Sequence, residues 1–197
     1  MPKLHQPHLA QPHLEMDATS VLFESSLGWL GISWTSQLRV LASTFARRSE
    51  SAARRAIESS TPNWQHRVTS LAAAPSSIRE LARHLVAFAD GEALGNFAHV
   101  ELELDDRTDF QRRVLLACQQ IPHGRTNSYS DLAATVGSPR AYRAVGTVMA
   151  GNRTPLIVPC HRVLGASGGL HGFSAPQGIS MKSRLLAMEA EAKLSTV

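Results

Sequence analysis

The chain has 197 residues, of which 43% are hydrophobic, and its formal net charge at pH 7 is +4. This length allows one domain or two small ones, with enough apolar content for a hydrophobic core. No apolar run reaches the roughly 18 residues that a membrane-spanning helix requires, so no segment is expected to span a membrane. The cysteines are Cys118 and Cys160, and their separate contexts favour a reduced, intracellular protein.

The first residues predict a loose tail, residues 1–19, rather than a folded element. They are rich in His, Pro and Gln and contain the sequence Gln-Pro-His-Leu at 6–9 and again at 11–14. They lack the apolar core of a secretory signal peptide, so export is not expected. The histidines of this tail have no regular spacing and no neighbouring cysteine, so we do not expect a metal site there.

Residues 20–104 are expected to form a small α+β unit. Apolar, aromatic-rich stretches separated by turn signals predict the strands of a meander at 21–23, 29–34 and 40–45. Residues 49–92 then show helical periodicity interrupted by prolines, and the alternation in 99–104 predicts an edge strand. No catalytic constellation is visible in this half.

The second half, residues 105–197, begins with two helices whose starts are marked in the sequence. Thr108 and Gln111 form a capping-box pattern, and Cys118 falls on the apolar face of the helix that follows. Cys118 is therefore most simply a small core residue. Ser128 is expected to cap a second, short helix that stops at Gly137.

A third helix is expected to begin with Ser138 as N-cap and Pro139 at its first position. By the 3.6-residue period, Arg143 lies opposite the buried stripe and is flanked by Arg140 and Thr147. Two short helices joined by a glycine-containing turn, the second with an outward basic face, are typical of a helix-turn-helix that binds duplex DNA.

The strongest chemical signal follows an apolar run that ends at Pro159, where Cys160 and His161 come next. A cysteine attacks as the thiolate, which needs a nearby base or positive charge, and His161 is the obvious base. Adjacent residues of an extended chain point to opposite sides, so contact between them needs a turn or a bridging water. The surrounding segment 132–188 contains no acidic residue, which favours an anionic partner such as nucleic acid.

The C-terminal helix supplies a candidate third group, Glu189. It shares a face with Leu185 and Leu186, and an unpaired carboxylate in an apolar stripe is unfavourable, so it needs a fixed partner. Lys182 has a similar azimuth but lies roughly 10 Å away along the helix axis. We therefore expect His161 to be the partner, and the alternative is that Glu189 is a solvated residue near the helix end.

These residues resemble the O6-alkylguanine-DNA alkyltransferases, also called methylated-DNA–protein-cysteine methyltransferases. Pro159-Cys160-His161-Arg162-Val163 is similar to the active-site signature of that family. Further segments occur in the family's order and spacing, at residues 121–126, 128–129, 143–146, 151–152 and 185–189. The resemblance covers residues 109–189 closely and the N-terminal half only in outline.

The resemblance implies an α+β fold with a small ribonuclease-H-like N-terminal domain, 20–104, followed by a winged helix-turn-helix domain, 105–197, that carries the active site. It implies direct DNA repair, in which Cys160 takes the alkyl group from O6 of guanine once and irreversibly, with O4 of thymine as a further target. No cofactor and no metal are needed. The implied partner is double-stranded DNA containing O6-alkylguanine, bound by a monomer, with no membrane, in the cytoplasm or in a eukaryotic nucleus.

The resemblance also implies roles for individual residues. His161 would deprotonate Cys160 through a water, and Glu189 would orient the imidazole. Tyr129 would donate to N3 of the leaving guanine, and Asn152 would fix the local backbone. The base must be flipped out of the duplex into a pocket, and Arg143 would fill the vacated space. Further DNA contacts are expected from Arg140, Thr147, Ser128 and Arg162, and pocket walls from Val158, Pro159, Phe173 and Ser174.

The loop at 172–178 departs from the family pattern. Phe173 stands where a tyrosine is common, and Pro176 together with fewer glycines changes the flexibility of the pocket lid. The departure bears on the transfer of alkyl groups larger than methyl. The zinc-binding cysteines of some relatives are absent from the N-terminal half.

The sequence leaves other functions open. An alkyltransferase-like protein binds the lesion without reacting, but such proteins typically replace the cysteine that is present here. A winged-helix regulator would use only the basic helix. A cysteine hydrolase would need an oxyanion hole, which cannot be identified from the sequence.

Overall fold

The computed structural model describes residues 16–92, 96–170, 172–173 and 175–194. Within these ranges, no helix combines the length and the apolar character needed to cross a membrane. The predicted tail and its histidines lie outside the described residues, except for residues 16–19. Those belong to the first strand and pair with its neighbours, so the folded unit begins by Met16 rather than at residue 20.

A four-stranded sheet of order β3-β2-β1-β4 forms the N-terminal half. Its strands are β1 (Met16–Phe23), β2 (Trp29–Thr35), β3 (Val40–Arg47) and β4 (Trp64–Val68). The β1–β2 and β2–β3 pairs are antiparallel, so the predicted meander is confirmed, and β4 pairs in parallel with β1. The sequence does not predict β4, because this edge strand has no apolar run and buries none of its side chains fully.

Two helices follow the interrupted helical pattern of the sequence: α1 (Glu50–Ser60) and α2 (Ser76–Ala89). α1 packs against β2 and β3. A Cβ added at Gly31 would lie 2.7 Å from Ile57 Cδ1, so glycine at this position permits the close approach. The predicted edge strand at 99–104 is wrong, because Leu102 forms an isolated bridge with Val40 and the Glu103 carboxylate then accepts from Asp105 N at 3.0 Å and turns the chain away.

The C-terminal half is mainly helical. It contains α3 (Asp109–Gln119), α4 (Tyr129–Thr135), α5 (Tyr142–Ala150) and α6 (Ile179–Leu194), and a parallel pair of short strands, β5 (Asn127–Ser128) and β6 (Val163–Leu164). The predicted caps of the first two helices are confirmed, since Thr108 and Ser128 each form a reciprocal capping box. Cys118 is fully buried, as expected for a core residue.

The third helix starts later than predicted. Its N-cap is Ala141, whose N–H donates to Ser138 O at 2.8 Å, so residues 138–141 close as a turn before α5 begins. Arg143 nevertheless lies on the exposed face of α5, opposite Val145 and Val148, which are buried. The molecule therefore has the mixed α+β architecture expected from the sequence.

The two halves meet at β3. Ser43 donates from its backbone N to Arg153 O and from its hydroxyl to Pro155 O, both at 2.8 Å. The loop that these bonds hold leads directly into the apolar run before Cys160. The N-terminal sheet thus positions the reactive segment of the other half.

Candidate active site

Cys160 opens a single 3-10 turn, Cys160–Arg162, at the end of the buried run 156–158. Asn152 ties this segment together, because its Nδ2 donates to Val158 O at 2.9 Å while its Oδ1 accepts from Thr154 N at 2.9 Å. In a 3-10 turn, adjacent side chains do not alternate between opposite sides as they do in an extended chain. The backbone therefore does not force Cys160 and His161 to point in opposite directions. Asn152 therefore holds the backbone of the segment that leads to Cys160.

His161 and Glu189 form the buried pair that the helix face of Glu189 predicts. His161 Nε2 lies 2.7 Å from Glu189 Oε1, and the exposed fractions of the two side chains are 0% and 1%. The solvated alternative for Glu189 is therefore wrong. The carboxylate also accepts from Gly124 N at 3.0 Å, which links α6 to the loop after α3.

Arg162 completes this cluster and corrects one prediction. The resemblance implies a place at the DNA surface, but Arg162 is 1% exposed. It donates from Nη2 to Glu189 Oε1 at 2.8 Å and from Nη1 to Ile121 O at 2.6 Å. The 3-10 turn directs its side chain inward, where a buried carboxylate needs compensating charge. Arg162 is thus a partner of Glu189 and does not contact solvent.

The protonation of the pair follows from its surroundings. Burial raises the pKa of Glu189, but the hydrogen bond from His161 and the charge of Arg162 outweigh it and lower the pKa to about 2. Burial lowers the pKa of His161, with Glu189 opposing. A neutral imidazole beside a carboxylate carries its proton on Nε2. Its Nδ1 is buried and has no hydrogen-bond partner among the described residues, so it can accept a proton.

Cys160 is 9% exposed, and the groups around its thiol shift the pKa of the thiol in opposite directions. Burial raises its pKa, while a hydrogen bond from Asn152 and the charge of Lys182 lower it. Lys182 is fully buried, donates from Nζ to Val163 O at 2.7 Å, and lies 5.9 Å from the centroid of the Tyr129 ring. The sequence assigns no role to Lys182, although its azimuth on α6 matches that of Glu189.

A cavity of about 670 Å³ opens beside Cys160. Among the predicted site residues, Tyr129, Arg143 and Phe173 line it. Val158 and Pro159 are buried and are not among its lining residues. Ser174 lies outside the described residues. The lining also includes Tyr142, an aromatic residue 45% exposed that the sequence analysis does not single out.

The residues predicted to contact DNA differ in their placement. Arg140, Arg143 and Thr147 are exposed on or just before α5, and the Arg143 guanidinium lies 5.4 Å from the centroid of the Tyr142 ring. Ser128 is half-buried, and its hydroxyl accepts from Asp131 N at 3.0 Å as the cap of α4. The basic face of α5 therefore adjoins the cavity, whereas the Ser128 side chain is engaged within its own helix.

The fold and the site define a mixed α+β protein built around a buried cysteine beside a histidine–glutamate pair. Residues 109–191 match the family model of the 6-O-methylguanine DNA methyltransferase DNA-binding domain. A methylated-DNA–protein-cysteine methyltransferase of Methanosarcina barkeri is 45% identical over 114 residues, which are 56% of this chain and 67% of that protein. One from Mycolicibacterium paratuberculosis is 47% identical over 96 residues, 48% of this chain and 57% of that protein.

Solved structures extend the similarity to both halves. The structure of Mycobacterium tuberculosis OGT in complex with DNA superposes with a TM-score of 0.67 at 32% identity, covering 88% of this chain and 94% of that one. The O6-methylguanine-DNA methyltransferase of Pyrococcus kodakaraensis superposes with a TM-score of 0.61 at 25% identity, over 87% of this chain and 98% of that one. The chain belongs to the methylated-DNA–protein-cysteine methyltransferase family.

Proposed function

We propose that the protein repairs DNA directly, by moving an alkyl group from O6 of guanine onto Cys160 in a single irreversible turnover. The observation that carries the proposal is the buried cluster of Cys160, His161 and Glu189 beside an open cavity, in a chain of this family. The solved complex of Mycobacterium tuberculosis OGT with DNA supports DNA as the partner. O4 of thymine presents similar chemistry and is included in the proposal.

The proton path begins at the thiol. His161 Nδ1, which has no hydrogen-bond partner among the described residues, takes the proton of Cys160 directly or through a water. The imidazolium that forms is stabilised by Glu189 at 2.7 Å, whose charge is in turn balanced by Arg162. The pair resembles the histidine–carboxylate unit of other enzymes that activate a nucleophile.

The transfer step joins sulfur to carbon as carbon leaves oxygen. Cys160 Sγ attacks the alkyl carbon in line with the C–O6 bond, whose electron pair passes to the guanine ring. Tyr129, on the wall of the cavity, donates to N3 of the ring and offsets the developing charge. The charge of Lys182 lowers the pKa of Cys160 and so favours the thiolate. The product is an unmodified guanine and a thioether, which has no easy leaving group, so each molecule acts once.

Access to O6 requires the base to leave the duplex. We assign α4 and α5 to a helix-turn-helix within a winged domain, with α5 against the DNA and Arg143 in the space left by the flipped base. Arg140 and Thr147 then contact the backbone from the same exposed face. We assign the N-terminal sheet and its helices to a ribonuclease-H-like domain, with the domain boundary near residue 105.

The proposed chemistry uses only groups of this chain and of the lesion, so one protomer suffices and we expect a monomer. Because the substrate is genomic DNA, we expect the protein in the cytoplasm, or in the nucleus if its source is eukaryotic.

The test uses duplex DNA that contains O6-methylguanine. After incubation and digestion, mass spectrometry should find one methyl equivalent, and no more, on the Cys160 peptide. Cys160→Ala should lose all transfer while retaining DNA binding. Cys118→Ala is the matched control, because Cys118 is buried in the core and does not line the cavity. Tight binding of the lesion with an unmodified Cys160 would instead establish an alkyltransferase-like binding protein.

A further inference from the structure

A second cavity, of about 190 Å³, lies between Cys160 and the N-terminal half of the molecule. It shares Cys160, Met149 and Phe173 with the larger cavity, so these side chains form the boundary between the two. Its far wall comes from β3 and α1, and that wall includes Arg47. Cys160 therefore lines two cavities, only one of which is needed for the base.

The geometry of displacement determines what the second space can hold. Sulfur, carbon and O6 lie on one line in the transition state, so any substituent on the reacting carbon projects sideways from that line. The base fills the larger cavity on the O6 side. The smaller cavity, which is also lined by Cys160 and has Arg47 in its wall, is the space left for a longer alkyl chain.

The polar groups of the smaller cavity differ in how they are paired. Ser43 donates to Pro155 O, Ser60 donates to Ile57 O, and Arg153 pairs with Asp106 at 2.6 Å. Arg47 donates from Nε to Thr44 Oγ1 at 2.8 Å, and no carboxylate of the described residues forms an ion pair with it.

Within the part of the chain that the structure describes, no negative charge compensates the half-buried Arg47 guanidinium. Burial lowers its pKa, and no acidic neighbour among those residues opposes this effect. Arginine keeps its proton under ordinary conditions, so the site presents a fixed positive charge with donors to spare. An anion of small size is the ligand that such a site favours.

We propose that Arg47 and the smaller cavity form a subsite for the alkyl group itself, and that it favours O6-alkyl lesions whose short chain ends in a carboxylate. This inference rests on the proposed function. In the step, the Sγ–CH₂ bond forms as the CH₂–O6 bond breaks, His161 takes the thiol proton, the guanine ring regains a proton, and the carboxylate is unchanged. Arg47 holds that carboxylate and offsets its repulsion from the thiolate.

The experiment compares three duplexes that carry O6-methylguanine, O6-carboxymethylguanine or O6-carbamoylmethylguanine. The last matches the carboxymethyl group in size but has no charge. Single-turnover transfer rates are measured for the wild type, Arg47→Met, Arg47→Lys and the control Arg48→Met, which alters the exposed neighbour. Methyl transfer by each variant also reports whether it has folded.

Arg47→Met should slow carboxymethyl transfer by about tenfold or more, the loss expected when a charge-assisted hydrogen bond is removed. Methyl and carbamoylmethyl transfer should change by less than about twofold, and Arg47→Lys should restore part of the carboxymethyl rate. Arg48→Met should leave all three rates unchanged.

An equal fall with all three duplexes would overturn the proposal, because it would place Arg47 on a DNA phosphate or in a purely structural role. No change with the carboxymethyl duplex would overturn it as well. Absence of methyl transfer by the wild type would instead refute the proposed function, so the two failures are distinguishable.

Discussion

Each half of the molecule contains a histidine that is bonded within the fold, half-buried His66 and fully buried His161, and the two sites differ in what surrounds the ring. In the N-terminal sheet, His66 Nδ1 lies 2.9 Å from Ser20 Oγ and 3.2 Å from Ser33 Oγ, and its Nε2 lies 2.8 Å from Thr61 Oγ1. In the C-terminal half, His161 Nε2 contacts a carboxylate and Nδ1 has no partner among the described residues. The same residue type is therefore fully engaged in one place and partly free in the other.

Both histidines carry their proton on Nε2, so the two sites differ in what surrounds Nδ1. The Thr61 hydroxyl donates to Ile57 O, so it accepts from His66 Nε2, and His66 Nδ1 must accept from the serines. Burial lowers the pKa of both histidines. A lowered pKa alone does not distinguish a structural histidine from a reactive one. What distinguishes the reactive histidine is a carboxylate bonded to one ring nitrogen and an unused lone pair on the other.

The largest expected effect is on the rate of methyl transfer, which should depend on His161 and not on His66. His161→Gln should slow methyl transfer by about 10²–10⁴-fold, the range associated with loss of a general base. His66→Leu should leave the transfer rate within about twofold, because His66 is engaged in the N-terminal sheet and does not line the cavity. Single-turnover assays with O6-methylguanine duplex measure both. Comparable losses in the two variants would show that the distinction between the sites is wrong.

The Glu189 carboxylate, which only the His161 site has, offers a second test of the difference between the two histidine sites. Glu189→Gln leaves Arg162 buried without a counter-charge, which should lower the free energy of unfolding by about 3 kcal/mol or more. It should also reduce transfer, because the imidazolium loses its stabilising charge. Urea denaturation and transfer assays measure the two effects. Glu24→Gln, which makes the same change at an exposed position of the N-terminal half, is the control and should change neither.

The fold was predictable where local patterns determine it. The strands β1 to β3 follow apolar stretches, and the starts of α3 and α4 follow capping boxes that need only residues three apart. Strand β4 was not predictable, because its pairing with β1 depends on a crossover through α1 and its own side chains remain largely exposed. The start of α5 was misplaced, since a turn at residues 138–141 satisfies the same local signals as a helix N-terminus.

Some features of the site were also predictable from the sequence and others were not. The contact of Glu189 with His161 was predictable, because helical periodicity placed a carboxylate on an apolar face and few partners were available. The inward direction of Arg162 was not predictable, since it follows from the 3-10 turn at Cys160. The position of Arg47 beside the second cavity depends on how the two halves pack, which no local pattern encodes.

The smallest effect expected concerns the stability of the His66 site and its dependence on pH. His66→Leu leaves the buried Ser20 and Ser33 hydroxyls without their acceptor, which should lower the free energy of unfolding by about 1–2 kcal/mol near neutral pH. Gln65→Leu, at an exposed position of the same strand, is the control and should have little effect.

The dependence on pH has a definite sign. Burial lowers the pKa of His66 in the folded state, so the unfolded chain takes up a proton first as the pH falls below about 6.5. The stability that neutral His66 contributes is therefore present above that pH and is lost as the pH falls towards the folded-state pKa. His123 and His161, whose pKa values are also lowered by burial, add slopes of the same sign to both proteins and cancel in the difference. Urea denaturation between pH 7.5 and about 5 should thus show the gap between wild type and His66→Leu narrowing, and a gap that widens would mean that protonated His66 is the form the sheet stabilises.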